Sequence, residues 1–251
     1  MPDSLPATSS IGTAGWTIPR AVRDRFPESG SSLARYAARF TAAEINSSFH
    51  RPHRPAIYER WAASTPPDFR FAVKVPKTIT HVRRLADVGD ELDRFLGESA
   101  ALGAKRRVLL VQLPPSAALE PPIATRFFEE LRGRFDGEIA CEPRHASWFA
   151  PEAGAMLAAA GVARVAADPA RVPGAGEPGG WMGLVYYRLH GAPRTYYSAY
   201  EPPRLDDLAR RLLESEVRGV PAWCIFDNTA SGAATGDALG VLDRIAAATT
   251  R

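Results

Sequence analysis

The stretch GEIACEPRHASW, residues 137–148, begins like a buried strand and ends in ionisable side chains. The apolar residues at 139–141 are typical of a strand that is buried on both faces. Glu142, Arg144 and His145 then follow within four positions. An unpaired charge in a protein interior is costly, so such side chains either lie at the surface or line a site. Barrels of parallel strands carry their sites at the carboxyl ends of the strands. The stretch therefore favours a barrel with a functional site where its strands end.

Similar strand-like runs recur eight times along the 251 residues, beginning near positions 10, 42, 69, 106, 137, 163, 183 and 221. Seven amphipathic helical stretches lie between or after them. In IATRFFEELRGRF, residues 123–135, an apolar residue recurs every four positions, which is the pattern of a helix with one buried face. Eight strands, seven helices and this length predict an α/β fold, a single (β/α)₈ TIM-type barrel over residues 10–251.

Two parts of the chain depart from this regular alternation. Residues 170–182, ARVPGAGEPGGWM, are rich in glycine and proline, so we expect the sixth crossover to be irregular. Residues 1–9 read as a disordered leader. A doubly wound open sheet is the alternative fold, but it predicts a glycine-rich phosphate turn after the first strand, and GTAGWTIPR, residues 12–20, matches that turn poorly.

The composition is that of an ordinary globular protein, with 45% hydrophobic and 24% charged residues and a net charge of +3. No run approaches the roughly 20 apolar residues of a membrane span, and the first residues do not resemble a secretory signal. Cys141 and Cys224 lie inside apolar runs without the spacing of a zinc site or a disulfide framework. We therefore expect a cytoplasmic protein without membrane association. The sequence carries no signal for an oligomeric state.

Polar side chains end seven of the eight predicted strands. Because alternate residues of a strand share a face, the patterns place Glu44 with Asn46, Glu142 with Arg144, and Arg188 with His190. The other strand ends carry Lys74, Gln112, Asp168, Asp227 and Asn228. These charges must neutralise one another or meet a ligand. The number of polar ends favours a binding or catalytic mouth over a purely structural set of ion pairs.

Six motifs in the chain, in this order, resemble those of the YecE-like family, known as domain of unknown function 72: EINSSFHRP, FRFAVKVPKTITH, VQLPPS, EPRHASW, YYRLHG and FDNTASGAATGDAL. The resemblance covers about residues 10 to 245 and implies a TIM-type barrel, but it implies little about activity. The family's polar pattern falls on Glu44, Asn46, Lys74, His81, Gln112, Glu142, Arg144, Ser147, Trp148, Arg188, His190, Gly191 and Asn228. The family usually shows two asparagines after the last strand, where this chain has Asp227 and Asn228.

The first functional hypothesis is an enzyme that acts on a small anionic or sugar-like molecule. Lys74, Arg144 and Arg188 would bind a phosphate or carboxylate. Glu142 or Glu44 would be the general base, and His190 the acid. Further ligand contacts are predicted for Asn46, Gln112, His81, Trp148 and Asn228. The reaction class stays open among isomerase, lyase and hydrolase.

Two alternatives remain. A nucleic-acid-binding or processing protein, resembling the apurinic endonucleases in fold, would use the basic runs HVRR (81–84) and KRR (105–107) and stack bases on Tyr196, Tyr197 and Tyr200. A non-catalytic ligand-binding module would need only the anion-binding side chains, Lys74, Arg144 and Arg188. The absence of zinc spacing, a P-loop and a dinucleotide fingerprint predicts no cofactor, and cations beside the carboxylates predict no tightly held metal. The aromatic segment at 191–200 is a candidate lid.

Overall fold

Strands and helices alternate along residues 9–249, the part of the chain that the computed structural model describes. The strands are β1 Ser10–Thr13, β2 Ala42–Ile45, β3 Arg70–Lys74, β4 Arg106–Gln112, β5 Glu138–Glu142, β6 Val162–Arg164, β7 Ala166–Asp168, β8 Gly179–Gly180, β9 Val185–Leu189 and β10 Ala222–Phe226. The helices are α1 Ser32–Ala37, α2 Pro55–Ala63, α3 Gly89–Ser99, α4 Pro121–Arg132, α5 Pro151–Ala159, α6 Pro202–Val217 and α7 Ala233–Thr249. Each predicted strand and helix is found near its expected position.

The strands form two sheets, in the orders β1-β10-β9-β7 and β2-β3-β4-β5-β6-β8. All pairs are parallel except β6 with β8. From β2 to β6, strands that follow one another in the chain are neighbours, without the reversal of strand order that defines a doubly wound sheet. The mixed α/β fold is confirmed. The hydrogen-bonded ladders describe two parallel sheets rather than one closed ring.

The two sheets approach each other at β1 and β2. Ala14 and Glu44 form an isolated parallel bridge just beyond the end of β1. The phenol of Tyr36, on α1, adds a second link, since its Oη accepts the N–H of Thr13 at 2.7 Å and lies 3.1 Å from the carbonyl oxygen of Ala42. A side chain from a helix thus takes the place of a backbone hydrogen bond between the sheets.

Gly12 makes this close approach possible. A Cβ atom at Gly12 would lie 1.9 Å from the carbonyl oxygen of Ala42 and 2.8 Å from Tyr36 Oη. Both distances are far below a van der Waals contact, and the first involves backbone that cannot rotate away. Only glycine therefore fits where β1 passes β2.

The two sheets are also connected where the chain passes directly from one to the other. Only Val165 separates β6, which pairs with β5, from β7, which pairs with β9. The sixth crossover, from β7 to β9, contains turns and the two residues of β8 but no helix, so the predicted irregular crossover is confirmed. Of the predicted leader, all but Ser9 lies outside the described residues, and its disorder stays a prediction. The single domain over residues 10–251 also stays a prediction.

Apolar side chains form two buried clusters. The larger lies between the strands and the helices. The smaller consists of strand residues and their immediate neighbours, among them Ala42, Leu110, Ala140, Tyr186 and Ile225, and it contains no described helix residue. It occupies the face of the strands that is turned away from the helices. None of the helices at residues 9–249 is long and apolar enough to cross a membrane.

Candidate functional site

The polar strand ends continue the face of the smaller apolar cluster. Alternation along each strand carries that face from Ala42 to Glu44, from Leu110 to Gln112 and from Ala140 to Glu142. Seven side chains of this set are buried: Glu44, Lys74, Gln112, Glu142, Arg188, His190 and Asp227. The predicted gathering of polar groups at the carboxyl ends is thus present in the structure. These are the residue types that catalytic and binding sites use.

Arg188 occupies the centre of this group and is fully buried. Its Nη2 lies 2.7 Å from Glu44 Oε1 and 3.0 Å from Asp227 Oδ2, while its Nη1 lies 2.8 Å from Glu142 Oε2. Burial disfavours the cation, but the three carboxylates outweigh burial and raise the pKa of Arg188 well above its usual range. Arg188 therefore holds three strand ends together and has little capacity left for a ligand.

Glu142 joins Arg188 to two further cations. Its Oε1 lies 3.0 Å from Arg144 Nε and 3.1 Å from His190 Nε2. Burial alone would raise the pKa of this carboxyl, but the positive charges of Arg188, His190 and Arg144 hold the pKa well below its ordinary value. Glu142 is thus ionised at neutral pH and is a weak proton acceptor. The contacts favour it as the counter-ion of His190 over its predicted role as general base.

His190 lies between two carboxylates. Its Nδ1 is 3.1 Å from Asp227 Oδ2, and its Nε2 is 3.1 Å from Glu142 Oε1. A neutral imidazole can donate at only one nitrogen, whereas the imidazolium donates at both. Burial lowers the pKa of His190, but Glu142 and Asp227 outweigh it, so that the pKa is raised overall. This geometry favours the protonated form of His190, in which both ring nitrogens donate.

Asp227 faces this network. Besides Arg188 and His190, it contacts Asn46, whose Nδ2 donates to Asp227 Oδ1 at 3.3 Å. Burial would raise the pKa of Asp227, but Arg188 and His190 lower it. The carboxylate therefore adds a negative charge to the site and supports the protonated state of His190.

Replacing Asp227 by asparagine is expected to lower the pKa of His190, because the charge beside Nδ1 is removed while Glu142 remains. The raised pKa of His190 contributes stability below its unfolded value near 6.5, and this stability is lost as the pH rises through the folded pKa. That loss should be smaller in Asp227→Asn. A proton NMR titration of the histidine ring measures the pKa, and Asp243→Asn, at an exposed ion pair with Arg25, is the control. An unchanged His190 pKa would contradict the assignment.

Lys74 lies apart from the ion pairs. Its Nζ is 4.1 Å from the centre of the Phe49 ring. Burial and the charge of Arg188 lower the pKa of Lys74 to about 8, against the opposite effect of the carboxylates. The ring of His81 also packs against Phe49, with 4.9 Å between the ring centres. Burial and the charges of Lys74 and Arg144 lower the pKa of His81 to about 4, so its ring is neutral at pH 7.

Two residues of this network, Asn46 and Arg144, are less buried than the others. Arg144 follows the end of β5, and 15% of its side chain is exposed. Asn46 follows the end of β2, and its Oδ1 is buried without a hydrogen-bond partner among the described residues. A narrow cleft of about 10 Å³, room for about one water molecule, borders Glu142, Arg144 and His190 on one side and the sixth crossover on the other. These groups define the accessible part of the site.

Several predicted site residues make other contacts. Both oxygens of Glu44 accept hydrogen bonds from Arg188, and one also accepts from Tyr186 Oη, so a supporting role fits Glu44 better than that of a base. Gln112 donates to the carbonyl oxygen of Leu113. The remaining two lie away from the network. Trp148 is buried and donates to Ala117 O, and Asn228 donates to Ser198 O and Asp237.

Two tyrosines near the network were not assigned to its centre from the sequence. Tyr186 lies two residues before Arg188 on the same face of β9, a spacing that sequence alternation can detect. Tyr196 lies in the candidate lid, and its ring packs edge-on against His190 at 5.6 Å. Its backbone has a φ of 71° and donates to His190 O at 2.5 Å. The segment at 191–200 therefore covers His190, although its movement as a lid stays a prediction.

Two cations of the basic run KRR, residues 105–107, are occupied by structural contacts. Lys105 Nζ donates to Ala62 O and to both oxygens of Thr65, at 2.7 to 2.9 Å. Arg106 donates to Leu96 O and Ser99. These cations are therefore not available to phosphates, and the structure does not favour the nucleic-acid alternative.

A wide groove lies elsewhere on the molecule, between α6 and α7. It encloses about 1400 Å³, including open solvent, and Leu213, Val217 and Ala247 are among its lining residues. It lies on the outside of the fold and contains none of the network residues. We therefore place the candidate site at the strand ends.

Fold and site together define a mixed α/β protein of parallel strands whose carboxyl ends share a buried ionic network. Residues 10–251 match the family model described as "Protein of unknown function DUF72", so the chain belongs to the DUF72 family. The resemblance inferred from the six motifs is confirmed.

Relatives of the chain include "UPF0759 protein YecE" of Escherichia coli K12, which is 32% identical over 141 residues, and "UPF0759 protein YunF" of Bacillus subtilis, which is 27% identical over 149 residues. The matched part is 56% of this chain, and the chain spans about half the length of each relative, 50% and 52%. The crystal structure of a DUF72 family protein from Thermotoga maritima has a TM-score of 0.79 at 24% identity and covers 95% of this chain and 99% of its own. A DUF72 family protein from Enterococcus faecalis has a TM-score of 0.75 at 21% identity, with coverage of 94% and 97%. These structures share the fold of this chain.

Proposed function

We propose that the chain forms a TIM-type barrel that binds a small anionic or sugar-like molecule at the carboxyl ends of its strands and acts on it with His190 as a general acid. Sequential neighbours among the strands, the bridge between Ala14 and Glu44, and the transfer of pairing at Val165 support closure of the barrel. Sites of this fold lie at the carboxyl ends of the strands.

One observation supports the proposed binding of an anion. The positively charged side chains near the network differ in how far carboxylates already surround them. Arg188 is fully buried by three carboxylates, whereas Arg144 reaches the surface and Lys74 lacks a carboxylate partner within 4.0 Å among residues 9–249. Arg144 and Lys74 are therefore the groups that would attract an anion. Arg188 and Glu44 would keep the strand ends in position.

His190 supplies the chemical step in this proposal. Two carboxylates hold it protonated, and it borders the cleft beside Glu142 and Arg144. A positioned imidazolium can protonate a leaving oxygen or a developing enolate in the transition state. Tyr196 covers the ring, which would limit the access of water to it.

A thermal-shift measurement with inorganic phosphate, glyoxylate and phosphosugars tests the binding. An anion at about 100 times its dissociation constant adds about 2.7 kcal/mol to the free energy of unfolding, which raises the melting temperature by about 5 to 10 °C for a chain of this size. The shift should fall by more than half in Arg144→Ala. It should persist in Arg126→Ala, a control at an exposed position of α4. If both variants keep the full shift, the anion binds elsewhere and the proposed site is wrong.

A further inference from the structure

The chain contains three lysines, at positions 74, 77 and 105, among 31 basic residues. Lys105 is held by three hydrogen bonds to the end of α2. Lys74 is buried at the mouth, yet within the described part of the chain its Nζ makes no hydrogen bond and no ion pair. Buried charged groups are normally paired. Lys74 is thus an amine held inside a charged site without the partners that would fix its proton.

The surroundings of Lys74 favour the neutral form of this amine. Burial lowers the pKa to about 8, and the nearby charge of Arg188 acts in the same direction. At pH 8 about half of the molecules therefore carry a neutral amine, whereas an ordinary lysine with a pKa near 10.4 is less than about 1% neutral. Desolvation and a neighbouring cation are the two means by which proteins activate a lysine as a nucleophile.

We propose that Lys74 forms an imine with a small aldehyde or ketone that also carries a carboxylate or phosphate. This inference rests on the proposed function, because the ligand would bind beside the same ionic network with its anionic group at Arg144. It narrows the substrate class from small anions to small anionic carbonyl compounds.

The chemistry balances without a further reactant. The lone pair of neutral Nζ forms a bond to the carbonyl carbon as the carbonyl π pair moves to the oxygen, and one of the two Nζ protons is transferred to that oxygen to give a carbinolamine. The hydroxyl then takes up the second Nζ proton and leaves as water with its bonding pair, while the nitrogen lone pair forms the carbon–nitrogen double bond. Nothing is oxidised or reduced. Glu44, Glu142 and Asp227, which favour a positive charge on Lys74, would equally favour the protonated imine.

Borohydride trapping tests this inference. The protein is incubated at pH 8 with glyoxylate or glycolaldehyde phosphate, sodium borohydride reduces any imine to a stable secondary amine, and peptide mass spectrometry locates the adduct. We expect at least about tenfold more adduct on Lys74 than on Lys77, because the activated amine is the neutral one. Uncharged glycolaldehyde should label Lys74 less, since it lacks the group that Arg144 attracts.

Three variants separate the possible outcomes. Lys74→Arg and Lys74→Met should lose the adduct, and Lys77→Arg should keep it; melting temperatures show which variants are folded. Equal labelling of the three lysines, or adduct that persists without Lys74, would overturn the imine. If glyoxylate raises the melting temperature but leaves Lys74 unmodified, the imine is wrong and the proposed binding site stands. If there is neither a shift nor an adduct, both proposals fail.

Discussion

Replacing Arg188 by methionine is expected to lower the free energy of unfolding by about 3–5 kcal/mol, because the substitution leaves buried carboxylates without their shared cation. Glu44, Glu142 and Asp227 all lie within 3.0 Å of the guanidinium and are nearly or fully buried. Methionine has a similar length, so loss of charge rather than loss of volume would dominate. This loss is a large fraction of the about 5–15 kcal/mol by which a folded protein is typically stabilised.

Urea unfolding at two pH values measures this effect and identifies its cause. In the natural protein, the low pKa values of Glu142 and Asp227 contribute stability above their unfolded values, and that stability is lost as the pH falls. In Arg188→Met, the unpaired carboxylates would bind protons more readily when folded than when unfolded. Acidification from pH 7 to pH 5 should therefore stabilise the variant relative to the natural protein.

The control for this experiment is Arg25→Met. Arg25 pairs with Asp243 at 2.8 Å, but both side chains are more than a third exposed, and screened surface pairs contribute at most about 1 kcal/mol. The double variant Arg188→Met with Glu44→Gln should recover part of the lost stability, because one unpaired charge is removed. A loss below about 1 kcal/mol in Arg188→Met would show that the network does not depend on this cation.

Substituting alanine for Gly12 is expected to destabilise the protein by about 3 kcal/mol or more, which is the upper range for forcing an extra carbon into a packed interior. The new Cβ would overlap the carbonyl oxygen of Ala42 at 1.9 Å. Relieving that overlap moves β1 away from β2 and breaks the contacts of Tyr36 and the bridge from Ala14 to Glu44. Glu44 also accepts from Arg188, so the site should be disturbed together with the fold.

The matched control is Gly97→Ala on α3. No atom lies within 4 Å of a Cβ at Gly97, and replacing an exposed helical glycine by alanine stabilises a helix by about 0.5–1 kcal/mol. Chemical denaturation should therefore show a lower free energy of unfolding in Gly12→Ala and a higher one in Gly97→Ala. If Gly12→Ala unfolds within about 1 kcal/mol of the natural protein, β1 and β2 are not in close contact, and the proposed closure of the barrel loses its main support.

Strand alternation was sufficient to predict much of the site. Because residues two apart share a face, the sequence pattern predicts that Glu142 lies beside Arg144 and Arg188 beside His190. The same rule could not show which arginine remains accessible to a ligand. Arg188 is enclosed because its side chain meets carboxylates from β2, from β5 and from the residue after β10, whereas Arg144 follows the end of its own strand. That difference depends on tertiary arrangement, not on local pattern.

Predictions beyond the strand ends were less successful, since loops determine those positions. Trp148 follows β5 closely in the sequence, but the short helical turn Ala146–Phe149 directs its ring into the core beneath Ala117. Tyr196 lies six residues after His190, and a backbone turn with positive φ returns it to that ring. Nothing in strand periodicity encodes either path. The prediction from sequence therefore included Trp148 in the candidate site because of its residue type. It left Tyr196 outside the centre of the site.

The burial of Arg188 also determines how the protein should respond to dissolved salt. Ions in solution screen charges that face water, over a distance of about 8 Å at physiological ionic strength, but they do not enter a packed interior. The contact of Arg188 with Glu44 is enclosed on all sides, so its strength should not depend on the surrounding electrolyte. Arg144 is partly open to water, and its attraction for an incoming anion weakens as salt is added. High ionic strength would thus leave the architecture intact while reducing its affinity for anions.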